Sequence, residues 1–399
     1  MAWHIYVHNP FCARKCPYCD FYSVADTSES NAFYKAALRE AKLLGGIMKD
    51  SSGKDHINDR DDRDTVYFGG GTPSVPDSRL ICDLLSGILD AFSISSDAEI
   101  TIEVNPSSVT DEKLSDYKLA GFNRISAGVQ SLDDEVLKRL GRLHDSKGAV
   151  DAIKRITAAG FNNVSADLIT GVPGGTLDGI KKDINTFYSL GVKHISTYSL
   201  MLEEGTVFFE RYGKTIEDLM PPEKEREMYH GTRDCLRSLG YETYEISNSA
   251  LPGYRSIHNS AYWNSCEYLA VGAGSHGYLG NVRYGHEDDI HAYIEEMNSV
   301  SEEDYRAFLE GNDRLSSLYI EEILSEEDKM REVPFLRLRT DEGILLDEFK
   351  NIFGVEFEDV FGQAVKTNIE KGLLERKERT LRLTRSGLDL ANKVIEDFL

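Results

Sequence analysis

Three cysteines stand close together near the start of the chain. Cys12, Cys16 and Cys19 have C-x-x-x-C-x-x-C spacing within Tyr6-Val7-His8-Asn9-Pro10-Phe11-Cys12-Ala13-Arg14-Lys15-Cys16-Pro17-Tyr18-Cys19-Asp20-Phe21. Thiolates are the usual ligands of iron–sulfur clusters, and a four-iron cluster takes four of them. This run supplies three, while Cys82, Cys235 and Cys266 are scattered singly. A [4Fe-4S] cluster held here keeps one iron open for an outside ligand. S-adenosylmethionine (SAM) can fill that place through its amino and carboxylate groups. An electron passed into its sulfonium would break a C–S bond and give a radical, chemistry that belongs to the cofactor. Zinc and a disulfide are the competing readings. A structural zinc site is closed by four ligands, so His8 or Asp20 would have to complete the shell. A disulfide belongs with export, and no export signal is visible.

Other residues suit the same chemistry. Gly69-Gly70-Gly71-Thr72-Pro73 is a glycine turn, and glycine lets the backbone approach a ligand and reach positive φ. It has neither the dinucleotide fingerprint nor the Lys-Ser/Thr ending of a phosphate loop. Glu103 and Asp167 are single carboxylates suited to ribose hydroxyls or an ammonium; a helix cap or an ion pair is the plainer reading of each. Gln130 and Arg142 could bind a carboxylate or an adenine edge, or simply lie on the surface. His258-Asn259-Ser260-Ala261-Tyr262-Trp263 sets a histidine beside an amide and two large aromatics. Histidine ligates haem iron and aromatics line flat apolar pockets. A packed loop with a hydrogen-bonded histidine accounts for the spacing equally simply. His276, in Val271-Gly272-Ala273-Gly274-Ser275-His276-Gly277, is a second such candidate.

The elements that must position these residues follow from the hydrophobic pattern. Six segments read as buried parallel strands: His4 to His8, Thr65 to Phe68, Glu99 to Val104, Arg124 to Val129, Asn163 to Ile169 and His194 to Leu200. Helical patterns lie between them, at Asn31 to Leu44, Asp77 to Phe92, Asp133 to Leu140, Gly148 to Ala159 and Leu177 to Leu190. Alternating strand and helix argues for a parallel sheet with crossover helices. Six such units in a row predict an α/β fold, an open, partial (β/α)6 barrel with its chemistry at the C-terminal strand ends. The cysteines, the glycine turn, Glu103, Gln130, Asp167 and Tyr198 all fall there.

Lys49 to Asp64 is polar and reads as a solvated loop. Pro221 to Leu239 is helical, Tyr241 to Ser247 a further strand or edge, and Pro252 to Gly277 an ordered functional loop. Gly343 to Phe353, Val355 to Lys371 and Arg385 to Phe398 read as helices, with a small hairpin at Leu373 to Glu375 and Leu381 to Leu383. The expected units are 1–215, the partial barrel; 216–300, an extension carrying His258; and 301–399, a C-terminal helical domain of winged-helix type.

Composition sets the outer bounds. The 399 residues are 41% hydrophobic and 28% charged, enough for a folded core. The net charge of -23 argues against nucleic acid, whose phosphates need a basic face. No apolar run approaches the ~20 residues of a transmembrane helix. With few, unpaired cysteines, a cytoplasmic location is expected.

Together these blocks resemble the radical-SAM family of oxygen-independent coproporphyrinogen III oxidase and its haem-chaperone relatives. The resemblance runs from Tyr6 to about Gly277 through C-x-x-x-C-x-x-C, GGGTP, E-x-N-P, G-V-Q-S, G-R-x-H and D-L-I-x-G-x-P. It continues more weakly through Glu332-Val333-Pro334-Phe335-Leu336-Arg337-Leu338-Arg339 into the C-terminal domain. It implies that Cys12, Cys16 and Cys19 ligate the cluster, with Tyr6, Gly70 and Glu103 on the SAM bound to it. Tyr18, Gly71, Thr72, Gln130, Arg142 and Asp167 match positions that hold a second SAM in the oxidase. The oxidases resemble C-x-x-x-C-x-x-C-x-C, and Phe21 stands where they carry a fourth cysteine; their N-terminal extension is also missing here. The HNxxYW motif, His258 to Trp263, belongs to the chaperone branch and is taken to serve haem handling. The expectation is therefore a protein that binds haem and passes it to acceptor haemoproteins, including transient contact with membrane-bound ones, with the cluster and SAM in support. Radical decarboxylation of coproporphyrinogen III is the alternative, and chemistry on another tetrapyrrole a third.

Overall fold

The computed structural model describes residues 2–50, 63–311 and 315–399. The stretch expected as a solvated loop, Lys49 to Asp64, lies for the most part outside them.

The chain begins with six β/α units. In order they are β1 (His4–Asn9), α1 (Ser30–Asp50), β2 (Thr65–Gly70), α2 (Ser78–Phe92), β3 (Glu99–Val104), α3 (Asp111–Ala120), β4 (Arg124–Gln130), α4 (Asp134–Arg139), α5 (Ser146–Ala158), β5 (Asn163–Thr170), α6 (Leu177–Ser189) and β6 (His194–Ser199). The helices start where polar side chains can take up their free N–H groups. Asp77, Thr110, Asp133, Asp145 and Thr176 each cap one. Five of these helices match the sequence pattern; α3 went unread because only Leu114 and Tyr117 of it are buried, too few to make a stripe.

The six strands pair in parallel, in sequence order. Their register places Tyr6 beside Tyr67 and Asn9 beside Gly70. One face of the sheet is apolar: Ile5, Val7, Val66, Phe68, Ile102, Ile125, Ala127 and Ala166 join one core with the helices. The other face is concave. Tyr67 on β2 interacts electrostatically with Tyr198 on β6, four strands away. On a flat sheet they would stand about 19 Å apart.

The chain then continues through α7 (Val207–Tyr212), α8 (Ile216–Leu219), α9 (Pro222–Ser238), β7 (Glu242–Thr243), β8 (Asn248–Ala250), α10 (Ile257–Trp263) and β9 (Leu269–Val271). β8 and β7 extend the sheet antiparallel beyond β6, while β9 pairs in parallel with β1 on the other side. The stretch from Pro252 to Gly277 is thus not one loop: it holds a helix and a strand of the main sheet. The barrel stays open, with nine strands in the order β7-β8-β6-β5-β4-β3-β2-β1-β9.

Next come β10 (His276–Leu279), β11 (Val282–His286), α11 (Ile290–Ser299), α12 (Glu302–Leu309) and β12 (Leu318–Ile323), in which β10, β11 and β12 form a small antiparallel sheet. Tyr305, Phe308 and Leu318 belong to the barrel core. α12 and β12 fall in the span expected with the C-terminal unit, and these side chains of theirs join the barrel core. A second core, from Leu338 to Phe398, holds α13 (Glu326–Arg337), β13 (Ile344–Leu345), α14 (Leu346–Phe353), α15 (Phe357–Glu370), β14 (Leu374–Lys377), β15 (Thr380–Leu383), α16 (Arg385–Leu388) and α17 (Ala391–Glu396). Its three strands pair in the order β13-β15-β14 beside α14 and α15, a winged-helix arrangement.

One buried carboxylate ties α1 to the later segments. Glu40 is fully buried and receives Tyr305 Oη at 2.7 Å, Tyr293 Oη at 2.5 Å and the Gly272 amide at 3.0 Å, and its Oε1 lies 2.6 Å from His286 Nε2. Burial opposes its charge, yet His286 and the two tyrosines hold its carboxyl below the ordinary value. Glu40→Ala strands four polar groups in the core. We expect it to lower the unfolding free energy by about 3–5 kcal/mol, read by denaturant titration.

Candidate functional site

The cysteine loop leaves the top of β1 and is laced to its neighbours by backbone hydrogen bonds. Cys12 N donates to Val24 O at 2.9 Å and Val24 N to Pro10 O at 2.7 Å, which closes the loop on itself. Gly71 N donates to Asn9 O at 2.7 Å and Thr72 N to Phe11 O at 2.8 Å, which fastens the glycine turn to it. Gly70 has φ +95°, and a Cβ there would lie 2.6 Å from the His8 ring; one on Gly71 would meet Phe11 O at 2.8 Å. Only glycine fits this close approach.

The three thiols share this end of the barrel. Cys12 Sγ lies 3.2 Å from Thr72 Oγ1, and Arg142 Nη1 lies 3.6 Å from Cys16 Sγ and 3.4 Å from Tyr18 Oη. Burial raises the Cys12 and Cys19 thiols, and each is raised further by neighbouring cysteines, so they face a common space. A cube of four irons takes each thiolate at a separate corner, so the sulfurs need to ring a space rather than meet at a point. Among the described residues no three His, Cys, Asp or Glu side chains are drawn together as a single ion requires. The two candidates for completing a zinc shell are otherwise placed. His8 is hydrogen-bonded at both ring nitrogens, to Tyr6 Oη at 3.2 Å and Tyr22 O at 3.0 Å, and Asp20 is exposed. The donor set fits a three-thiolate cluster with one open iron, which when SAM is bound supplies the electron for reductive C–S cleavage.

Below the loop the concave face is lined by polar side chains. Tyr67 Oη donates to Glu103 Oε1 at 2.7 Å, and Ser126 Oγ to Asp167 Oδ1 at 3.2 Å. Ser165 Oγ meets His194 Nδ1 at 2.8 Å, and His4 Nδ1 meets Thr65 Oγ1 at 2.9 Å. Arg124 is 1% exposed, and its Nε lies 3.9 Å from Glu99. Burial lifts Glu103 to about 7; Tyr67 and Arg124 pull it down and Asp167 pushes it up. Asp167 is likewise raised by burial, against Ser196, Arg124 and Ser126. Such carboxylates suit a cofactor that brings a cationic ammonium and ribose hydroxyls.

The SAM residues inferred from sequence fall on this end. Tyr6, Gly70 and Glu103 line the wall around β1, β2 and β3. Tyr18, Thr72 and Arg142 surround Cys12 and Cys16, with Gly71 alongside. Gln130 ends β4 with φ +71°, a left-handed backbone rare for such a residue, beside a register shift against β5. A Cβ on Gly128 would lie 3.1 Å from Gln130 Nε2 and 3.5 Å from Arg142 Nη2. Backbone strain of this kind concentrates at ligand clamps.

The two haem candidates lie elsewhere. His258 is buried at the opposite end of the strands, under the barrel floor. Its Nδ1 lies 2.7 Å from Thr65 Oγ1 and its Nε2 2.9 Å from Tyr262 Oη. Both ring nitrogens are committed, so the histidine as placed has none to offer an iron. His276 opens β10 at the sheet edge, its side chain half exposed and its Nδ1 2.8 Å from Glu321 Oε1.

The lumen residues His4, Tyr67, Thr101, Arg124, Ser126 and His194 were not singled out from sequence, and His8 only as a zinc ligand. Their signal was the strict alternation His4-Tyr6-His8, Thr65-Tyr67-Gly69 and Glu99-Thr101-Glu103, polar at every second place in strands that otherwise read as apolar.

The fold is that of a radical SAM protein. The model of the radical SAM superfamily matches residues 6–187, and that of the HemN C-terminal domain residues 324–390. The fold is similar to coproporphyrinogen III oxidase (HemN) from Escherichia coli, a radical SAM enzyme, with a TM-score of 0.78 over 100% of this chain and 90% of that one; at 20% identity this is a likeness of fold. The chain is 34% identical to the heme chaperone HemW of Lactococcus lactis, over 99% of its own length and 96% of the relative's. It is 34% identical to HemW of Bacillus subtilis over 99% and 98%. A mitochondrial radical S-adenosyl methionine domain-containing protein 1 from Bos taurus is 31% identical over 99% and 87%. Within the superfamily, the chain belongs to the HemW family.

Two outcomes follow from the geometry. Cys16→Ser removes one of three thiolates and should bleach the iron–sulfur absorption of anaerobically reconstituted protein, leaving the far-ultraviolet dichroism unchanged. A Glu103 carboxyl that titrates near 7 is neutral below that pH and charged above it, and only the charged form attracts the ammonium. SAM affinity should therefore rise between about pH 6 and 8, and Glu103→Gln should flatten that rise and weaken binding about tenfold, measured by equilibrium dialysis.

Proposed function

We propose that this protein is a haem chaperone: it binds haem and hands it to acceptor haemoproteins, with a [4Fe-4S] cluster and exchangeable SAM in the barrel mouth. The observation that carries this reading is near-full-length identity with the HemW chaperones. A departure from the oxidase pattern supports it. Phe21, in the place of the oxidases' fourth cysteine, is 65% exposed at the rim of the cluster loop. By this reading Cys12, Cys16 and Cys19 hold the cluster, and Tyr6, Gly70 and Glu103 contact the SAM on it. Tyr18, Gly71, Thr72, Gln130, Arg142 and Asp167 complete the mouth, with room for a second SAM as the further possibility to test.

We place the haem iron on His276 ahead of His258. A metal-binding histidine is commonly oriented by a carboxylate on its other ring nitrogen, which leaves the free nitrogen pointing outward. His276 has that arrangement through Glu321. His258 would first have to give up Tyr262 or Thr65. The acceptors are haemoproteins, and the work is cytoplasmic; among the described residues no helix is long and apolar enough to cross a membrane.

The test is anaerobic reconstitution, haem titration by absorbance, and transfer to an apo-haemoprotein. Protein that takes up no haem overturns the reading, and turnover of coproporphyrinogen III would install the oxidase in its place. His276→Ala is expected to weaken haem binding about a hundredfold, with His258→Ala close to the native protein. The reverse order of effects would return the ligand to His258.

A further inference from the structure

The HNxxYW helix, α10, sits at the foot of the barrel, yet its histidine reaches up into the lumen. The His258 ring stacks on Tyr67 with centroids 5.0 Å apart and planes 21° from parallel. It also lies 6.5 Å from the Tyr6 ring at 29°. Tyr67 is the residue whose hydroxyl donates to Glu103. These aromatic contacts form one line from α10 to the carboxylate.

The helix itself is pinned at both ends. Ser256, its N-cap, donates to Glu99 Oε1 at 3.3 Å, and the His258 amide donates to the same oxygen at 3.1 Å. Glu99 is the first residue of β3, the strand that carries Glu103. At the other end Arg337 of α13 donates to the Asn264 side chain. The histidine can neither slide along the floor nor turn away. Its two ring nitrogens fix the rotation of the ring, and its face sets the plane of Tyr67.

We propose that His258 is a positioning residue for the Glu103 carboxylate, acting through the ring of Tyr67, so that the motif helix supports SAM binding from below. The proposal rests on the reading of Glu103 as a SAM contact. The charged and titratable groups around Glu103 are Tyr6 on β1, Tyr67 on β2, Arg124 on β4, Asp167 on β5, Tyr198 on β6 and Tyr262 on α10. Of these, Tyr67 is hydrogen-bonded to it, which makes that ring the lever. Removing the imidazole opens a space under Tyr67. The Tyr67 hydroxyl is then no longer held on the Glu103 oxygen, and loss of that donor raises the pH at which the carboxyl ionises.

The experiment uses the full-length, cluster-loaded protein and measures SAM binding by equilibrium dialysis across the pH range in which Glu103 titrates. His258→Asn loses the stacked ring and is expected to raise the SAM Kd about tenfold and to move the pH midpoint of binding upward, as the Tyr67 hydroxyl leaves the carboxylate. His258→Phe keeps a ring against Tyr67 and is expected to stay within about threefold of native. Tyr67→Phe removes the donor to the carboxylate and should move the midpoint upward, in the same direction as His258→Asn. Cluster absorption and melting temperature report folding for each variant. Unchanged affinity and midpoint in His258→Asn would overturn the proposal, as would a His258→Phe variant as weak as the Asn one. If His258→Asn does not fold, an unshifted Tyr67→Phe overturns it. Glu103→Gln is the separate control: if that variant binds SAM like native protein, the reading of Glu103 as a SAM contact falls first.

Discussion

The pairing of β1 with β2 is the constraint on which the site depends. Parallel strands in register end at the same height, so the loop after β1 and the turn after β2 must meet. The Asn9–Gly70 pair sets this meeting point. Three thiols come from one side and an array of backbone N–H and C=O groups from the other. A glycine turn without side chains lets them close to hydrogen-bond distance. A register slip by one residue would turn the lumen side chains of β1, β2 and β3 toward the helices and bury two histidines, two tyrosines and two glutamates in the apolar core.

That same alternation decides what the lumen can hold. In many barrels the interior is packed with branched apolar side chains. Here the inward positions carry tyrosine, histidine, serine, arginine and carboxylates, and the outward ones carry isoleucine, valine and phenylalanine. The polar wall is costly to bury, and most of it is hydrogen-bonded across strands. Among the described residues, Arg124 Nε and Nη1 and Thr101 Oγ1 have no hydrogen-bond partner. They mark the lumen as a place built around polar contents.

Much of this was legible from residues alone. The six parallel strands, their order and the clustering of motifs at one end follow from apolar runs separated by helical periods, and the strands begin where the pattern places them. The cluster cysteines were legible because thiolate chemistry and spacing are specific. The parts that were not legible share a physical reason: they are long-range pairings that leave no local trace. A three-residue strand at Leu269–Val271 has no periodicity to read, and its partner Ile5 lies far away in sequence. The burial of His258 depends on Thr65 and Tyr262 closing round it, which no spacing rule encodes. Nothing local marks Glu40 for burial, because its partners come from four separate later segments. The charged pattern of α12 reads as solvent-facing, yet its few apolar side chains, Tyr305, Phe308 and Leu309, enter the barrel core.

The placement of β9 has a consequence for how the protein is made. Synthesis runs from the N-terminus, and the first six strands emerge with β1 as a bare edge. An unpaired edge of this kind is a template for wrong pairing. It stays bare until Leu269 to Val271 have left the ribosome, and Glu40 waits as long for Gly272 and longer for Tyr293 and Tyr305. The cysteine loop, rooted in that same strand, thus reaches its final shape late in translation. Delivery of iron and sulfide to a half-made chain would find the thiols in place but their scaffold still unfinished.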